Sequence, residues 1–259
     1  MNDSPSVQDR IEFISQPEPV SMADDWFGIA NLNHFWIRRR FQVAARLLRG
    51  INLKGSAIGE IGCGNGLVQR QFEEHFGTPV DGYELNLISL HQNVSRLSPL
   101  RCYNIFERRP EFRQRYGLLL LFDVLEHIED DGAFLDAALD MLKPDGRLMV
   151  NVPALQSLFS AYDQVAGHVR RYSLPELANR LENHGLVVEQ ATYWGLSLLP
   201  AVWIRKRILA GAKPEQVIRR GFSPGNKVIN ECMLLLSELE PLPQRVAGTS
   251  VMVLARRKA

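Results

Sequence analysis

The residues EIGCGNG, Glu60 to Gly66, place three glycines in five positions directly behind the apolar-leaning pair Ala57-Ile58. Glycine loses more conformational freedom on folding than any other residue, so such a cluster marks backbone that turns tightly or comes close to a ligand. Between a strand and a helix, the turn puts backbone N–H groups and a helix N-terminus at the carboxyl edge of a sheet. That edge is where open α/β sheets bind ligands.

The chain on either side supplies such a sheet. Short apolar runs alternate with amphipathic helical ones: Ala57–Ile61 reads as strand, Leu67–Phe76 as helix, Val80–Glu84 as strand, Leu87–Leu97 as helix and Leu100–Asn104 as strand. Gly117–Phe122 (GLLLLF) is a continuous apolar run suited to a strand buried on both faces. Ala133–Leu142 reads as a helix stopped by Pro144 and Gly146, and Arg147–Val152 as the next strand. Helix Leu174–Asn183 has Ser173 as its N-cap, Pro175 in its first turn and Gly185 just past its end, before strand Leu186–Tyr193. This alternation predicts an α/β fold with a parallel sheet covered by helices on both faces.

At the ends the pattern lapses. Residues 1 to about 22 carry Pro5, Pro17 and Pro19 among polar residues and read as irregular, whereas Asp24 to Leu48 carries one or two helices. Leu196–Leu209 and Lys227–Leu239 read as helices joined by a loop around Pro214 and Gly221–Gly225, and Thr249–Ala255 as the closing strand. Net charge is +1, which gives no global argument for nucleic acid. Cys63, Cys102 and Cys232 lack paired spacing, so neither a disulfide framework nor a cysteine-rich zinc site is expected. The polar start lacks a signal-peptide core and no stretch is long enough to span a bilayer, which predicts a soluble, cytoplasmic protein.

Glu84 closes the second strand where an acid commonly accepts hydrogen bonds from two ribose hydroxyls, so the ligand reads as a nucleoside. A dinucleotide turn needs glycine where this chain has Leu67, and Glu60 would repel a pyrophosphate. An acid at that strand end suits a ligand carrying an amine, and S-adenosylmethionine has the ribose, the amine and no phosphate.

The ordered series EIGCGNG, DGYELN, LLLLFDVLEHIEDD and MLKPDGRLMVNVPA resembles that of class I S-adenosylmethionine-dependent methyltransferases. HFWIRRR (His34–Arg40) and GHVRRYS (Gly167–Ser173) narrow the resemblance to bacterial methyltransferase-domain proteins with a GHxRRYS element. The resemblance implies a Rossmann-like sheet of seven strands, mostly parallel, the last antiparallel. It also implies an N-terminal helical lid at 1–50 and a cofactor domain at 51–259 with a helical insertion at about 195–245. In that frame Glu60, Gly62, Cys63, Gly64 and Gly66 shape the loop and hold the methionine end. Glu84 takes the ribose, Leu85 packs beside the adenine, Asn104 and Ile105 contact the adenine, and Phe122 offers its carbonyl near the methionine. Asn104 stands where the family usually has an acid.

Methyl transfer is an in-line displacement on an activated donor, and positioning supplies much of the rate. A hydroxyl acceptor benefits from a general base, for which His127 and His168 qualify, and Tyr172, close to His168 in the sequence, is expected in the acceptor pocket with it. Arg170 and Arg171 match an acidic acceptor group or else latch to carboxylates such as Asp163, and Trp36 with Arg38, Arg39 and Arg40 reads as a lid over the cofactor or else as a packing helix with a solvated basic face. No metal is expected. The acceptor class is a natural product, a quinone-like molecule or an envelope glycan, methylated on oxygen. The partners expected are that small molecule and no nucleic acid, with monomer and homodimer both open. Basic residues beside GLSLLPAVWI raise a peripheral membrane contact through 196–220. The rival readings are a non-catalytic S-adenosylmethionine-binding regulator and an NAD-dependent oxidoreductase.

Overall fold

A computed structural model describes residues 7–19 and 25–258. Its strands are β1 (Ile11–Phe13), β2 (Ile58–Ile61), β3 (Asp81–Glu84), β4 (Leu100–Cys102), β5 (Tyr116–Phe122), β6 (Leu142–Pro153), β7 (Leu186–Trp194) and β8 (Ser250–Arg257). The helices are α1 (Asp25–Ile29), α2 (Phe35–Leu47), α3 (Leu67–Phe76), α4 (Leu87–His91), α5 (Asp131–Met141), α6 (Ala161–Val165), α7 (Leu174–Asn183), α8 (Leu199–Leu209), α9 (Pro214–Phe222) and α10 (Lys227–Glu238). The strands form one sheet in the order β1-β4-β3-β2-β5-β6-β8-β7. All run parallel except β8, which pairs antiparallel with both β6 and β7.

The apolar run at β5 explains the layering. Side chains alternate across a strand, so Leu118, Leu120 and Phe122 pack against Val43 and Ala44 of α2 and Phe72 of α3. Leu119 and Leu121 point to the opposite face, against Leu135 and Ala138 of α5 and Leu177 of α7. A strand sandwiched between helices has no polar face, which is why the run is unbroken.

Three expectations need correction. Ile11–Phe13 is not irregular: it adds a parallel strand to the sheet edge, with Ile11 opposite Leu100, making eight strands where seven were expected. Three residues carry too little pattern to announce a strand, and pairing with β4 supplies the hydrogen bonds instead. Pro214–Phe222 is a helix rather than a loop. Pro214 stands at its first turn, where proline's missing N–H costs nothing. Gly221 sits inside it because a Cβ there would lie 2.6 Å from the Tyr162 ring. Finally, α4 ends at His91, well before Leu97. Among the described residues, no helix is long and apolar enough to cross a membrane.

His34 ties the N-terminal helix to the late helical segment. Its Nδ1 accepts from the Trp36 N–H at 3.2 Å and caps α2. Its Nε2 therefore carries the proton and donates to the Phe222 carbonyl at 3.0 Å. The ring stacks on Phe222 with centroids 4.1 Å apart. Burial lowers its pKa from 6.5 to about 4, against the opposing hydrogen bond to Phe222. The folded chain therefore holds a neutral imidazole that the unfolded chain would protonate. Stability from this residue is fully present above pH 6.5 and is lost as the pH falls toward about 4, a change of about 3 kcal/mol. Denaturant unfolding at pH 7 and pH 4.5 should show this loss, and His34→Gln should reduce the difference between the two; an equal difference in wild type and variant would refute it.

Candidate functional site

A cavity of about 700 Å³ opens at the carboxyl ends of β2, β3, β4 and β5. Its floor is the set of loops that follow those strands. Its cover comes from the start of α2 and from α8, α9 and α10.

The glycine turn forms one wall. Gly62, Gly64 and Gly66 have φ of 74°, 50° and 75°, the left-handed region that other residues adopt only with strain. Two of them are needed for packing. A Cβ on Gly62 would lie 2.5 Å from Val124 Cγ2, and one on Gly66 would lie 2.4 Å from the Asn93 amide. Gly66 is outside the cavity lining and caps α3, so it shapes the loop without facing the ligand space. Cys63 is buried and its thiol is pushed up by that burial.

The loop is clamped by the acid of the next strand. Glu84 accepts from the Gly64 N–H at 2.9 Å with one oxygen, and from Leu85 and Asn86 N–H at 2.8 Å each with the other. Burial raises its pKa against these three bonds. Glu60 is also buried, and its Oε2 has no hydrogen-bond partner. Burial pushes its pKa up to about 8; Arg40 opposes the shift, and Glu84 and Asp123 add to it. A buried carboxylate with an empty acceptor position fits a ligand ammonium group.

Leu85, Asn104, Ile105 and Phe122 all line the cavity. Asn104 Oδ1 accepts from the Phe106 N–H at 3.1 Å, capping a short turn, so its amide nitrogen is the group left to turn outward. That nitrogen lies 3.3 Å from Glu18, which belongs to the segment after β1. Glu18 and Pro19 line this end of the cavity, a contribution invisible in a stretch read as irregular.

Arg40 was expected on a lid or a solvated basic face. It is instead buried and ion-paired with Asp123 at the end of β5. Asn151 donates to Asp123 at 2.8 Å, and the Trp194 indole donates to Asn151 at 2.9 Å. Trp36 lines the cavity with its ring 4.9 Å from the Arg40 guanidinium.

Opposite the glycine turn stand His127 and His168, ring centroids 4.8 Å apart, edge to face. His168 Nδ1 lies 2.9 Å from Asp163. Asp163 also takes Arg171 Nε at 2.7 Å and the Ser160 N–H at 2.9 Å. Burial alone would raise its pKa, but the His168 hydrogen bond and the Arg171 charge outweigh it and hold the carboxyl well below its usual range. An ionised Asp163 keeps the proton on His168 Nδ1 and leaves Nε2 free to accept one, the arrangement of an oriented general base. His127 is held neutral: burial first, and then the charge of the neighbouring His168, lower its pKa to about 3, and its Nδ1 is buried without a partner.

Tyr172 and Arg170 do not join them. The Tyr172 hydroxyl donates to Asp131 at 2.8 Å and lies 3.2 Å from the Leu125 carbonyl, buried outside the cavity. Arg170 pairs with Asp131 at 3.1 Å and the Glu129 carbonyl at 2.7 Å. These two residues tie the GHVRRYS element to the loop after β5. Arg171 reaches the cavity edge, bound to Asp163 and to the Ala154 carbonyl. Glu126, unassigned from the sequence, is buried in the cavity wall with Oε2 unpartnered, and burial followed by Asp123 pushes its pKa well up. Ligand-type atoms of Glu126, His127 and His168 lie within 4.8 Å of one another and could hold a metal ion. Spacing along the chain gave no sign of this, because the fold brings His168 in from a distant loop.

Residues 32–191 match a family model described as a methyltransferase domain. The chain belongs to that family. Its fold is that of solved S-adenosylmethionine-dependent methyltransferases. A possible histamine N-methyltransferase from Thermotoga maritima superposes with a TM-score of 0.59 at 17% identity, covering 91% of this chain and 94% of that one. Phosphoethanolamine N-methyltransferase 2 of Haemonchus contortus, solved with S-adenosyl-L-methionine, gives 0.56 at 15% identity, covering 88% of this chain and 56% of that one. In sequence the chain is 33% identical over 119 residues to a ubiquinone biosynthesis O-methyltransferase of Bradyrhizobium diazoefficiens. That match spans 44% of this chain and 45% of the relative, less than half the length of either.

The residues present fit S-adenosylmethionine: Glu60 has an empty acceptor for its ammonium, and the turn leaves the ligand space free of side chains at Gly62 and Gly64. Because Glu60 holds a proton up to about pH 8 without ligand, binding an ammonium at pH 7 should displace it. Calorimetry with S-adenosylhomocysteine in buffers of unlike ionisation enthalpy should show net release approaching about one proton, absent in Glu60→Gln. Binding without proton release in the wild type would overturn the assignment.

Proposed function

We propose that this methyltransferase-domain protein methylates a hydroxyl oxygen of a small aromatic, quinone-like molecule. S-adenosylmethionine supplies the activated methyl group when bound. The observation that carries the reading is the Asp163–His168 pair facing the cavity beside a neutral His127, with apolar and aromatic walls from Phe35, Ile218 and Phe222. A hydroxyl held there loses its proton to His168 Nε2 as its oxygen attacks, and Asp163 stabilises the imidazolium that forms. Such walls exclude water, which strengthens the charges inside and keeps a polar nucleophile from hydrating. Glu60 and Glu84 hold the donor, and Trp36 with α8 to α10 forms the lid, so the N-terminal 50 residues and the segment at about 195–245 act together. The name of the Bradyrhizobium relative supports the oxygen acceptor and the quinone-like class.

The protein works in the cytoplasm as monomer or homodimer. Exposed Trp203, Ile204 and Ile208 beside Arg207 on α8 support a peripheral contact with an anionic membrane surface, the region from which a lipid-soluble acceptor would be drawn.

Turnover with labelled S-adenosylmethionine and a panel of ortho-dihydroxy aromatics tests the reading. His168→Ala should lower kcat about 100-fold or more while S-adenosylhomocysteine binds as in the wild type. Glu84→Ala should instead weaken that binding. Full activity in His168→Ala, or binding of S-adenosylhomocysteine with no transfer to any hydroxyl acceptor, would count against oxygen methylation.

A further inference from the structure

Two kinds of arginine face the cavity. Arg40 ion-pairs with Asp123 and Arg171 with Asp163. Arg205, on α8, has no carboxylate partner among the described residues. Its Nη1 donates to the Gly221 carbonyl at 3.0 Å, and its guanidinium carbon lies 4.4 Å from the centre of the Tyr162 ring. Its Nε is buried with no hydrogen-bond partner, and its Nη2 makes none to the described residues. The two-donor edge formed by Nε and Nη2 is therefore unfilled. Asp163 does not fill it, because its oxygens are taken by His168, Arg171 and Ser160. Burial, with Arg171 adding repulsion, disfavours the charged guanidinium. Arg220 on α9 lines the same region and forms no ion pair among the described residues.

A part-buried guanidinium with no carboxylate partner among the described residues carries a desolvation cost that a bound anion would offset. A flat edge of two parallel N–H donors matches a carboxylate, which accepts both bonds side by side. The surrounding wall is apolar, from Val202, Ile218 and Phe222. Arg205 lies against the Tyr162 ring, and His168 lies 6.5 Å from the same ring, centre to centre. The carboxylate position and the proton acceptor are thus close enough for one aromatic acid to reach both.

We propose that Arg205 binds a carboxylate on the acceptor, so that the substrate is an aromatic acid carrying its methylated hydroxyl on the ring. The proposal rests on the methyl-transfer reading for the role of the cavity. Its test does not need turnover. The full chain is titrated with 3,4-dihydroxybenzoate and with 3,4-dihydroxybenzamide, with and without saturating S-adenosylhomocysteine. The acid should bind at least about tenfold more tightly than the amide. Arg205→Gln should abolish the preference, and Arg205→Lys, which keeps the charge and loses the fork, should restore only part of it. Unchanged affinity for S-adenosylhomocysteine in both variants shows that they are folded. Equal affinity for acid and amide, binding of neither, or a preference that survives in Arg205→Gln would overturn the proposal. Titration with S-adenosylhomocysteine alone tests the cofactor reading separately, because the acid-over-amide comparison is also made without it.

Discussion

Glu60, Glu84, Asp123 and Glu126 lie together in the wall of one cavity, and Arg40 ion-pairs with Asp123 among them. Carboxylates this close and this buried cannot all ionise at low cost. The ion pair between Arg40 and Asp123 offsets part of that repulsion and holds α2 across the carboxyl edge of the sheet. Asn151 and Trp194 brace the pair from β6 and β7, so α2 is tied to both the middle and the far side of the sheet. The excess of acid remains as raised pKa values on Glu60, Glu84 and Glu126, each caused first by burial. A positive charge brought among these groups would offset that excess.

The far end of the cavity has the opposite character. There Asp163 is held by His168, Arg171 and Ser160, and Arg205 has no carboxylate partner among the described residues. One cavity thus has an acidic end suited to an amine-bearing donor and a basic, aromatic end suited to an anionic acceptor. His127 and His168 stand between the two. Such polarity fixes the direction in which two ligands enter, because exchanging them would put like charges together at both ends.

The fold was legible because its signals are local. The boundaries of α3 and α7 follow from Gly66, Phe76, Ser173 and Asn183, and each is read from residues within a turn or two. The turn after β2 and the acid that closes β3 were legible for the same reason: both are adjacent to the strands that place them. The reasons for two of the glycines were not, since Gly62 is required by Val124 and Gly66 by Asn93, neighbours supplied by other loops. The GHVRRYS element separates into parts in the same way. His168 and Arg171 reach the cavity and Tyr172 and Arg170 hold its support, a division that a string of adjacent polar residues does not contain.

From the sequence alone came the alternating strands and helices, the glycine turn and the acid that closes the next strand, all consequences of backbone sterics and of periodicity along the chain. The tertiary structure alone decided that Ile11–Phe13 joins the sheet, that Glu18 meets Asn104, that Arg40 is buried while Arg205 lacks a counter-ion, and that Glu126, His127 and His168 converge. These depend on which side chains share a desolvated space. The energy of a charge or a polar atom is set by its neighbours in three dimensions, and its neighbours along the chain do not specify them.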